Sequence, residues 1–382
     1  MSGTGPWWQR AGQGDLRRDL IDLGPGYPDP SLLPGPWIAD ALSTAISRQH
    51  DVALGYGGNA GPGPLRAFVA ARLPHCATDE VVTTAGTSAA LNAIAVGLQR
   101  AGAAVITEFT TYDLALKIFA DRGVRIDRLP AAESGIDPAA VLRTSLRAYR
   151  RDGAWPSLYL VPTYHNPTGR TLGAEVRAGL IELTTTTGLH IIEDLAYLDL
   201  GFDGGPEPVP LWSQAVDKGR HTALYSFSKV VAPGLRLGAL VADQARCRAI
   251  ADDGERLSGG GPAHLTAMGL ANASLSGALQ AHIAQVRAEL KRRRDTVQQS
   301  LVDKVPEDVR IAPCHGGYFV WLELPPRLDE LDVRRSALRA GVDFAPGRRY
   351  GDPSGVRLSL AAQPVEPLRR GTELLFKVLN QS

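Results

Sequence analysis

The sequence predicts an α/β protein with a mostly parallel sheet flanked by helices in a large domain, and a smaller α+β domain. From Glu80 onward, short β-branched and apolar runs alternate with helix-like runs, an order that produces parallel strands joined by helices. After Ala242 this alternation stops, and a long helical stretch precedes further strand-like runs. A chain of 382 residues is long enough to form two unequal domains.

The elements follow from local patterns in chain order. Residues 1 to about 35 are predicted to be irregular because LGPGYPDPSLLPGP is rich in glycine and proline. A helix is predicted from Trp37 to about Arg48, and LRAFVAARL has helical spacing. The predicted strands are VVTTAG, AAVITEF, SLYLVPT, LHIIEDLA, HTALYSFS and LRLGALVA, and the helices among them are TSAALNAIAVGLQR, YDLALKIFADRG and AEVRAGLIELTTTTG.

The C-terminal third has a different pattern. A single long helix is predicted from Ala278 to about Val302, followed by the strand-like runs RIAPCHGGYFVWLEL and GVRLSLA. We therefore expect residues 1–50 to form an N-terminal segment that contributes to the small domain. Residues 51–275 would form the large domain, and residues 276–382 the remainder of the small one.

Composition excludes several classes of protein. The net charge of +1 gives no basis for a nucleic-acid surface or an anionic membrane target. Cys76, Cys247 and Cys314 are far apart and form no CxxC pair, which disfavours a disulfide framework or a zinc site. The N-terminus has no signal-peptide pattern, and no apolar run is long enough to span a bilayer. We expect a cytoplasmic enzyme without a metal.

One of the six lysines lies in an unusual setting. In YSFSKVVAPGLRLG, Lys229 follows a predicted strand, with Ser226 and Ser228 before it and Arg236 seven residues after it. This set fits an aldehyde that carries a phosphate, because the amine can form an imine while the hydroxyls and the guanidinium bind phosphate oxygens. Taken alone, such a short motif would more often be a surface lysine beside a turn.

Two further segments suit the same ligand. Thr87 and Ser88 lie between a predicted strand and a helix, where backbone N–H groups and the helix N-terminus favour an anion. Alternatively, they are an ordinary helix cap. Asp194 ends a buried-looking strand, where a carboxylate needs a partner such as a protonated pyridine nitrogen. Asn166, in PTYHNPTG, and Tyr197 can hydrogen-bond a ring hydroxyl.

Together these segments resemble pyridoxal-phosphate enzymes of fold type I, the class I/II aminotransferase group, from IDLGPGYPDP to VRLSLA. The resemblance implies pyridoxal 5'-phosphate as the cofactor, with Lys229 carrying it as a Schiff base. It further implies that Asp194 is the partner of the pyridine nitrogen, that Asn166 and Tyr197 are the partners of the ring hydroxyl, and that Thr87, Ser88, Ser226, Ser228 and Arg236 bind the phosphate.

The resemblance also extends beyond the cofactor. EFTTY is similar to the segment whose tyrosine, here Tyr112, stacks on the ring, although Thr110 replaces the usual proline. Tyr56 resembles the tyrosine that reaches the phosphate of a neighbouring subunit, which implies a homodimer. Arg357 resembles the arginine that binds the substrate α-carboxylate by a bidentate fork. Gly26 and Tyr27 lie in the N-terminal segment that often lines the substrate pocket.

The implied reaction is exchange of the amino group between an amino acid and a 2-oxo acid through pyridoxamine phosphate. Elimination or replacement at Cβ or Cγ, cyclisation, and decarboxylative or oxidative deamination remain alternatives at the same kind of site. A pyridoxal-phosphate-sensing regulator is a further alternative, which we disfavour because the family-like segment begins by about Ile21. His165 and His315 either contact the substrate side chain or are structural.

Overall fold

The computed structural model describes residues 20–202, 208–301 and 305–381, so the predicted irregular stretch before residue 20 lies outside it. Its strands are β1 Ile21–Asp22, β2 Val81–Thr84, β3 Val105–Thr107, β4 Ile126–Arg128, β5 Ser157–Leu160, β6 His190–Asp194, β7 His221–Ser226, β8 Gly238–Val241, β9 Arg310–Ile311, β10 Phe319–Glu323, β11 Val342–Asp343, β12 Ala345–Pro346 and β13 Gly355–Ser359.

Helices alternate with strands mainly between β2 and β8. They are α1 Pro36–Arg48, α2 His50–Ala53, α3 Gly63–Ala70, α4 Thr87–Arg100, α5 Asp113–Asp121, α6 Pro138–Asp152, α7 Ala174–Thr186, α8 Leu211–Gln214, α9 Gln244–Ala251, α10 Gly254–Gly259, α11 His264–Ser276, α12 Ala278–Leu301, α13 Glu330–Arg339 and α14 Val365–Gln381. Among the described residues, no helix is both long and apolar enough to cross a membrane.

Within residues 20–202, 208–301 and 305–381, the larger sheet has seven strands in the order β2-β8-β7-β6-β5-β3-β4. Only β8 runs antiparallel to its neighbours, which confirms the prediction of a mostly parallel sheet flanked by helices. Successive residues of one strand face opposite sides, since Leu158 and Ile191 belong to one hydrophobic cluster and Tyr159 and Ile192 to another. The sheet is therefore buried on both faces, as its near-continuous apolar strands indicate.

The register of this sheet brings three chain segments to one edge. Asp194 at the end of β6 pairs with Leu224 of β7, two residues before the end of that strand. Gly238 at the start of β8 pairs with both Ser226 of β7 and Thr84 of β2. The loops that leave β2 and β7 and the loop that enters β8 therefore meet at the edge where β6 ends, the usual place for a ligand site in an open α/β sheet.

The smaller sheet is antiparallel, in the order β12-β13-β10-β9, and its central strand β13 carries Arg357. The N-terminal segment packs beside it: β1 pairs parallel with β11, and Ser359 N donates to Leu23 O at 2.7 Å. Thus β1 is a short strand within the stretch predicted to be irregular. The prediction missed it because two residues that gain their hydrogen bonds from a distant strand carry no local signal.

A buried ion pair fixes the other end of the N-terminal segment. Arg293 on α12 and Asp29 form a contact in which both side chains are almost completely buried. Arg293 also donates to Ser31 Oγ at 3.0 Å. A buried charge needs such a set of partners because losing one partner leaves the other uncompensated. The pair therefore holds the segment that contains Gly26 and Tyr27 against the small sheet.

We predict that Asp29→Ala lowers the free energy of unfolding by about 3 kcal/mol, because it leaves a guanidinium buried without its carboxylate. Denaturant unfolding of the purified protein would measure the change. Glu366→Ala is the matched control, since Glu366 pairs with Arg369 on the surface and its loss should leave stability nearly unchanged. An equal effect of the two substitutions would contradict the anchoring role of Asp29.

Candidate active site

A cavity of about 440 Å³ opens at the edge of the large sheet where β6 and β7 end, against the small sheet. It is lined by all but one of the site residues predicted from the sequence: Gly26, Tyr27, Thr87, Ser88, Tyr112, Asn166, Asp194, Tyr197, Ser226, Ser228, Lys229, Arg236 and Arg357. The exception is Tyr56, whose side chain is 87% exposed in the single chain. No group of three metal-ligating side chains occurs in the part of the chain that the structure describes.

Lys229 lies in the turn that follows β7, and its amine points across the cavity. Its Nζ donates to Gly26 O of the N-terminal segment at 2.6 Å. Burial, assisted by the guanidinium groups of Arg357 and Arg236, lowers the Lys229 pKa to about 8, against the opposing effect of Asp194. The amine is therefore much more easily deprotonated than an ordinary lysine, as a nucleophile or a base requires.

Asp194 ends β6 with its carboxylate buried in the same cavity. Its Oδ2 accepts from Tyr159 Oη at 3.0 Å, and its Oδ1 accepts from Ala196 N at 3.1 Å. Burial raises the pKa of Asp194 to about 6, although both hydrogen bonds and Lys229 lower it. Tyr159 was not predicted from the sequence, but it lies beside Ile192 on the adjacent strand and so shares the face of β6 that carries Asp194.

The turn between β2 and α4 forms a cradle with the arginine that precedes β8. Gly86 has a φ of 81°, and an added Cβ would lie 2.9 Å from Arg236 Nη2. Arg236 itself has a φ of 48°, a left-handed conformation that directs its guanidinium back toward the turn, where Nη2 donates to Ala85 O at 3.3 Å. Thr87 and Ser88 begin the 14-residue helix α4, so unpaired backbone N–H groups and hydroxyls converge beside this cation.

Arg357 is a buried cation without a carboxylate partner among the described residues. Its Nη1 donates to Asn166 Oδ1 at 2.8 Å and its Nη2 to Gly24 O at 2.6 Å, while its Nε has no hydrogen-bond acceptor in the described part of the chain. The guanidinium lies between the rings of Phe319 and Tyr350, at 4.1 and 4.7 Å from their centroids. Burial lowers the pKa of Arg357. Such a site favours an incoming anion strongly.

Two tyrosines complete the wall of the cavity. Tyr112 precedes α5, and burial raises the pKa of its phenol. Tyr197 follows β6, and its ring is 5.5 Å from that of Tyr318 and 5.7 Å from that of Phe319. Burial raises the Tyr197 pKa well above its ordinary value. Both phenols therefore stay protonated at neutral pH and can donate hydrogen bonds to a ligand.

The two histidines singled out in the sequence lie outside this cavity. His165 Nδ1 is 2.8 Å from Thr168 Oγ1, and its Nε2 is 3.2 Å from Glu108 Oε2 at the wall of a second cavity. His315 is exposed. Neither histidine is placed to line the Lys229 cavity, and the contacts of His165 favour a structural role for it. Although the two histidines neighbour Asn166 and the Gly-Gly-Tyr turn in sequence, their side chains do not line the Lys229 cavity.

Comparison with known proteins agrees with this geometry. Residues 21–375 match the family described as aminotransferase class I and II. The chain belongs to this family, which confirms the fold type and the class of enzyme predicted, an aminotransferase.

The 2-aminoadipate transaminase of Thermus thermophilus is 30% identical, over 95% of this chain and 91% of its own length. The structure of α-aminoadipate aminotransferase from the same organism, complexed with N-(5'-phosphopyridoxyl)-L-leucine, superposes with a TM-score of 0.83 at 29% identity, covering 95% of this chain and 93% of that one. An uncharacterized HTH-type transcriptional regulator of Bacillus subtilis is 29% identical, over 95% of this chain and 74% of its length.

We predict that the Lys229 amine of cofactor-free protein titrates with a midpoint near pH 8. Below that pH the protonated amine is unreactive, and above it the neutral amine becomes an acceptor of acyl groups. Pulse acylation across pH 6–11, followed by peptide mass spectrometry, would report its labelling, with the exposed Lys377 as the internal comparison. A Lys229 midpoint at the ordinary lysine value of about 10.4 would contradict the predicted environment.

Proposed function

We propose that this chain binds pyridoxal phosphate through Lys229 and transfers the amino group of an α-amino acid to a 2-oxo acid. The observation that carries the proposal is the meeting, in one cavity, of an amine of lowered pKa, a buried carboxylate and a buried guanidinium without a carboxylate partner among the described residues. Similarity to the Thermus transaminase supports the same reaction class.

The residues present fit the cofactor. The cradle of Gly86, Thr87, Ser88 and Arg236 leaves no room for a Cβ at its glycine but offers several donors to a phosphate. Pyridoxal phosphate, when bound, would supply an aldehyde that takes up amino groups and a pyridine ring that accepts the electron pair left at Cα. Asp194 would hold a proton on the ring nitrogen, since a buried carboxylate is stabilised by a cation beside it.

Arg357 would bind the α-carboxylate of either substrate. A carboxylate supplies the counter-charge that the described residues do not provide, and the free Nε adds one donor toward it. Asn166 and the aromatic rings of Phe319 and Tyr350 keep the guanidinium in place. The carboxylate end of the substrate is therefore fixed, and both half-reactions can use the same residue.

Lys229 would then serve as the general base at Cα. The amine can accept the Cα proton and later return one, because its pKa of about 8 is close to neutral pH. Gly26 O accepts a hydrogen bond from the free amine and limits its motion between these two steps. Tyr197 and Asn166 would hydrogen-bond the ring hydroxyl and Tyr112 would cover one ring face, as the family resemblance implies.

The side-chain end of the substrate is less constrained. Two ion pairs line the same cavity, Arg349 with Asp113 at 2.6 Å and Arg334 with Asp343 at 2.7 Å. Because each charge is already paired, these residues do not select one sign of side chain. A polar amino acid of the size of the 2-aminoadipate named for the Thermus relative suits this lining, and we propose that class as the first substrates to assay.

We further propose that the active unit is a homodimer. The α1–α2 region exposes Val52, Leu54 and Tyr56 at 50%, 64% and 87%, and Leu257 and Leu275 are also largely exposed. Val52, Leu54 and Tyr56 lie within five residues of one another, and neighbouring exposed apolar side chains are typical of a surface that another molecule covers. Tyr56 would cross this surface to the phosphate of the partner, as its resemblance to the family tyrosine implies.

Lys229→Ala should abolish the visible absorbance of the bound cofactor and reduce transamination by at least about a thousandfold, since the variant lacks both the attachment point and the base. The wild type, incubated with a panel of amino acids and a 2-oxo acid, should accumulate pyridoxamine phosphate and new amino acid, detected by mass spectrometry. Ammonia, thiol, CO2 or peroxide without the aminated cofactor would reject transamination in favour of one of the alternative reactions, such as elimination or oxidative deamination. Lys377→Ala is the control for loss of a lysine.

A mixed-dimer experiment tests the shared site. Tyr56→Ala and Lys229→Ala homodimers should each have low activity, whereas equal mixing after subunit exchange should restore about a quarter of wild-type activity, because half of the dimers then hold one intact site of two. Sedimentation would establish the dimer. No gain over the unmixed proteins, with exchange verified, would contradict a site shared through Tyr56.

A further inference from the structure

A hydrogen bond with no assigned role in the proposed transamination joins the small sheet to Lys229. Tyr318 directly precedes β10 and is completely buried, and its phenol donates to the backbone carbonyl of Lys229 at 2.6 Å. Among the described residues, no backbone N–H donates to that carbonyl. A buried carbonyl without a partner costs free energy, so the Tyr318 hydroxyl satisfies a group that the Lys229 turn itself leaves open.

The same small sheet also reaches the other end of the lysine. Lys229 Nζ donates to Gly26 O, and the segment that contains Gly26 is held by the pairing of β1 with β11 and by the Asp29–Arg293 contact. The ring of Tyr318 lies 5.7 Å from Nζ. The lysine is thus held at its carbonyl and at its amine from one side of the cavity.

We propose that Tyr318 is a positioning residue, which fixes the backbone of Lys229 so that its amine meets the substrate Cα at one place. This inference rests on the proposed function. A lysine side chain has four rotatable bonds, so the amine can be placed reproducibly only if the backbone from which it extends is itself fixed. Because Tyr318 directly precedes β10 of the small sheet, it also sets the lysine in register with Arg357 on β13 of that sheet.

The hydroxyl and the ring of Tyr318 can be separated experimentally. Tyr318→Phe keeps the ring beside Tyr197 and removes only the donor to Lys229 O. Tyr225→Phe is the matched control: Tyr225 is equally buried on β7, does not line the cavity, and donates its hydroxyl to Asp199. Each substitution removes the hydroxyl of a buried tyrosine, and because Tyr225 donates to a carboxylate, Tyr225→Phe should lose at least as much thermal stability as Tyr318→Phe.

The holoenzyme of Tyr318→Phe should have a kcat lowered about tenfold with KM changed less than about twofold, because Arg357 still binds the substrate carboxylate while proton transfer by Lys229 becomes slower. The isotope effect on kcat with Cα-deuterated amino acid should increase as proton transfer becomes slower. The dissociation constant for pyridoxal phosphate, measured by absorbance titration, should rise several-fold. Tyr225→Phe should reproduce the wild-type values of all three quantities.

The proposal is overturned if Tyr318→Phe matches the control in kcat, isotope effect and cofactor affinity. Tyr318→Met is a second variant should the phenylalanine form fold poorly, since a flexible apolar side chain can fill the same space, and the same increase in isotope effect is expected. Failure of the proposed function itself is distinguishable: the wild type would then show neither a visible absorbance with pyridoxal phosphate nor transamination, whatever residue occupies position 318.

Discussion

The cavity depends on one buried guanidinium, that of Arg357, which no carboxylate among the described residues neutralises. Lys229 and the exposed Arg236 line the same cavity, and Asp194 is the carboxylate that opposes the lowering of the Lys229 pKa. A buried cation without a partner destabilises the fold, so such an arrangement is retained where anions bind in function. A carboxylate beside Arg357 would supply the missing negative charge and a phosphate could bind beside Arg236, and both guanidinium groups are near enough to Lys229 to lower its pKa.

This charge arrangement depends on two sheets meeting. The large sheet provides Asp194 and the turns that carry the phosphate cradle, while the small sheet provides Arg357 from the middle of β13. The N-terminal segment closes the cavity with the carbonyls of Gly24 and Gly26, which accept from Arg357 and Lys229. Neither half alone contains a complete site, which makes the relative placement of the sheets part of the chemistry.

Backbone conformation limits what the cradle can tolerate. Gly86 needs a positive φ and has Arg236 at the position of a Cβ, so a side chain there would displace the guanidinium. Arg236 adopts a left-handed conformation itself, which is uncommon outside glycine and is kept when the surrounding structure requires it. Two unusual conformations in direct contact, beside the helix N-terminus that lines the cavity, indicate a ligand site more strongly than either does alone.

The sequence by itself determined the alternation of strands and helices, the position of Lys229 after β7 and the family to which its motifs belong. These features are local, since periodicity and turn residues act over a few positions. It did not show that Tyr159 would hydrogen-bond Asp194, that Phe319 and Tyr350 would enclose Arg357, or that Tyr318 would reach Lys229. The positions of His165 and His315 outside the cavity were likewise not predictable from the sequence. Only the tertiary structure decided these contacts, because they join strands or sheets far apart in the chain, and the pairing register, rather than sequence neighbourhood, sets which side chains face each other.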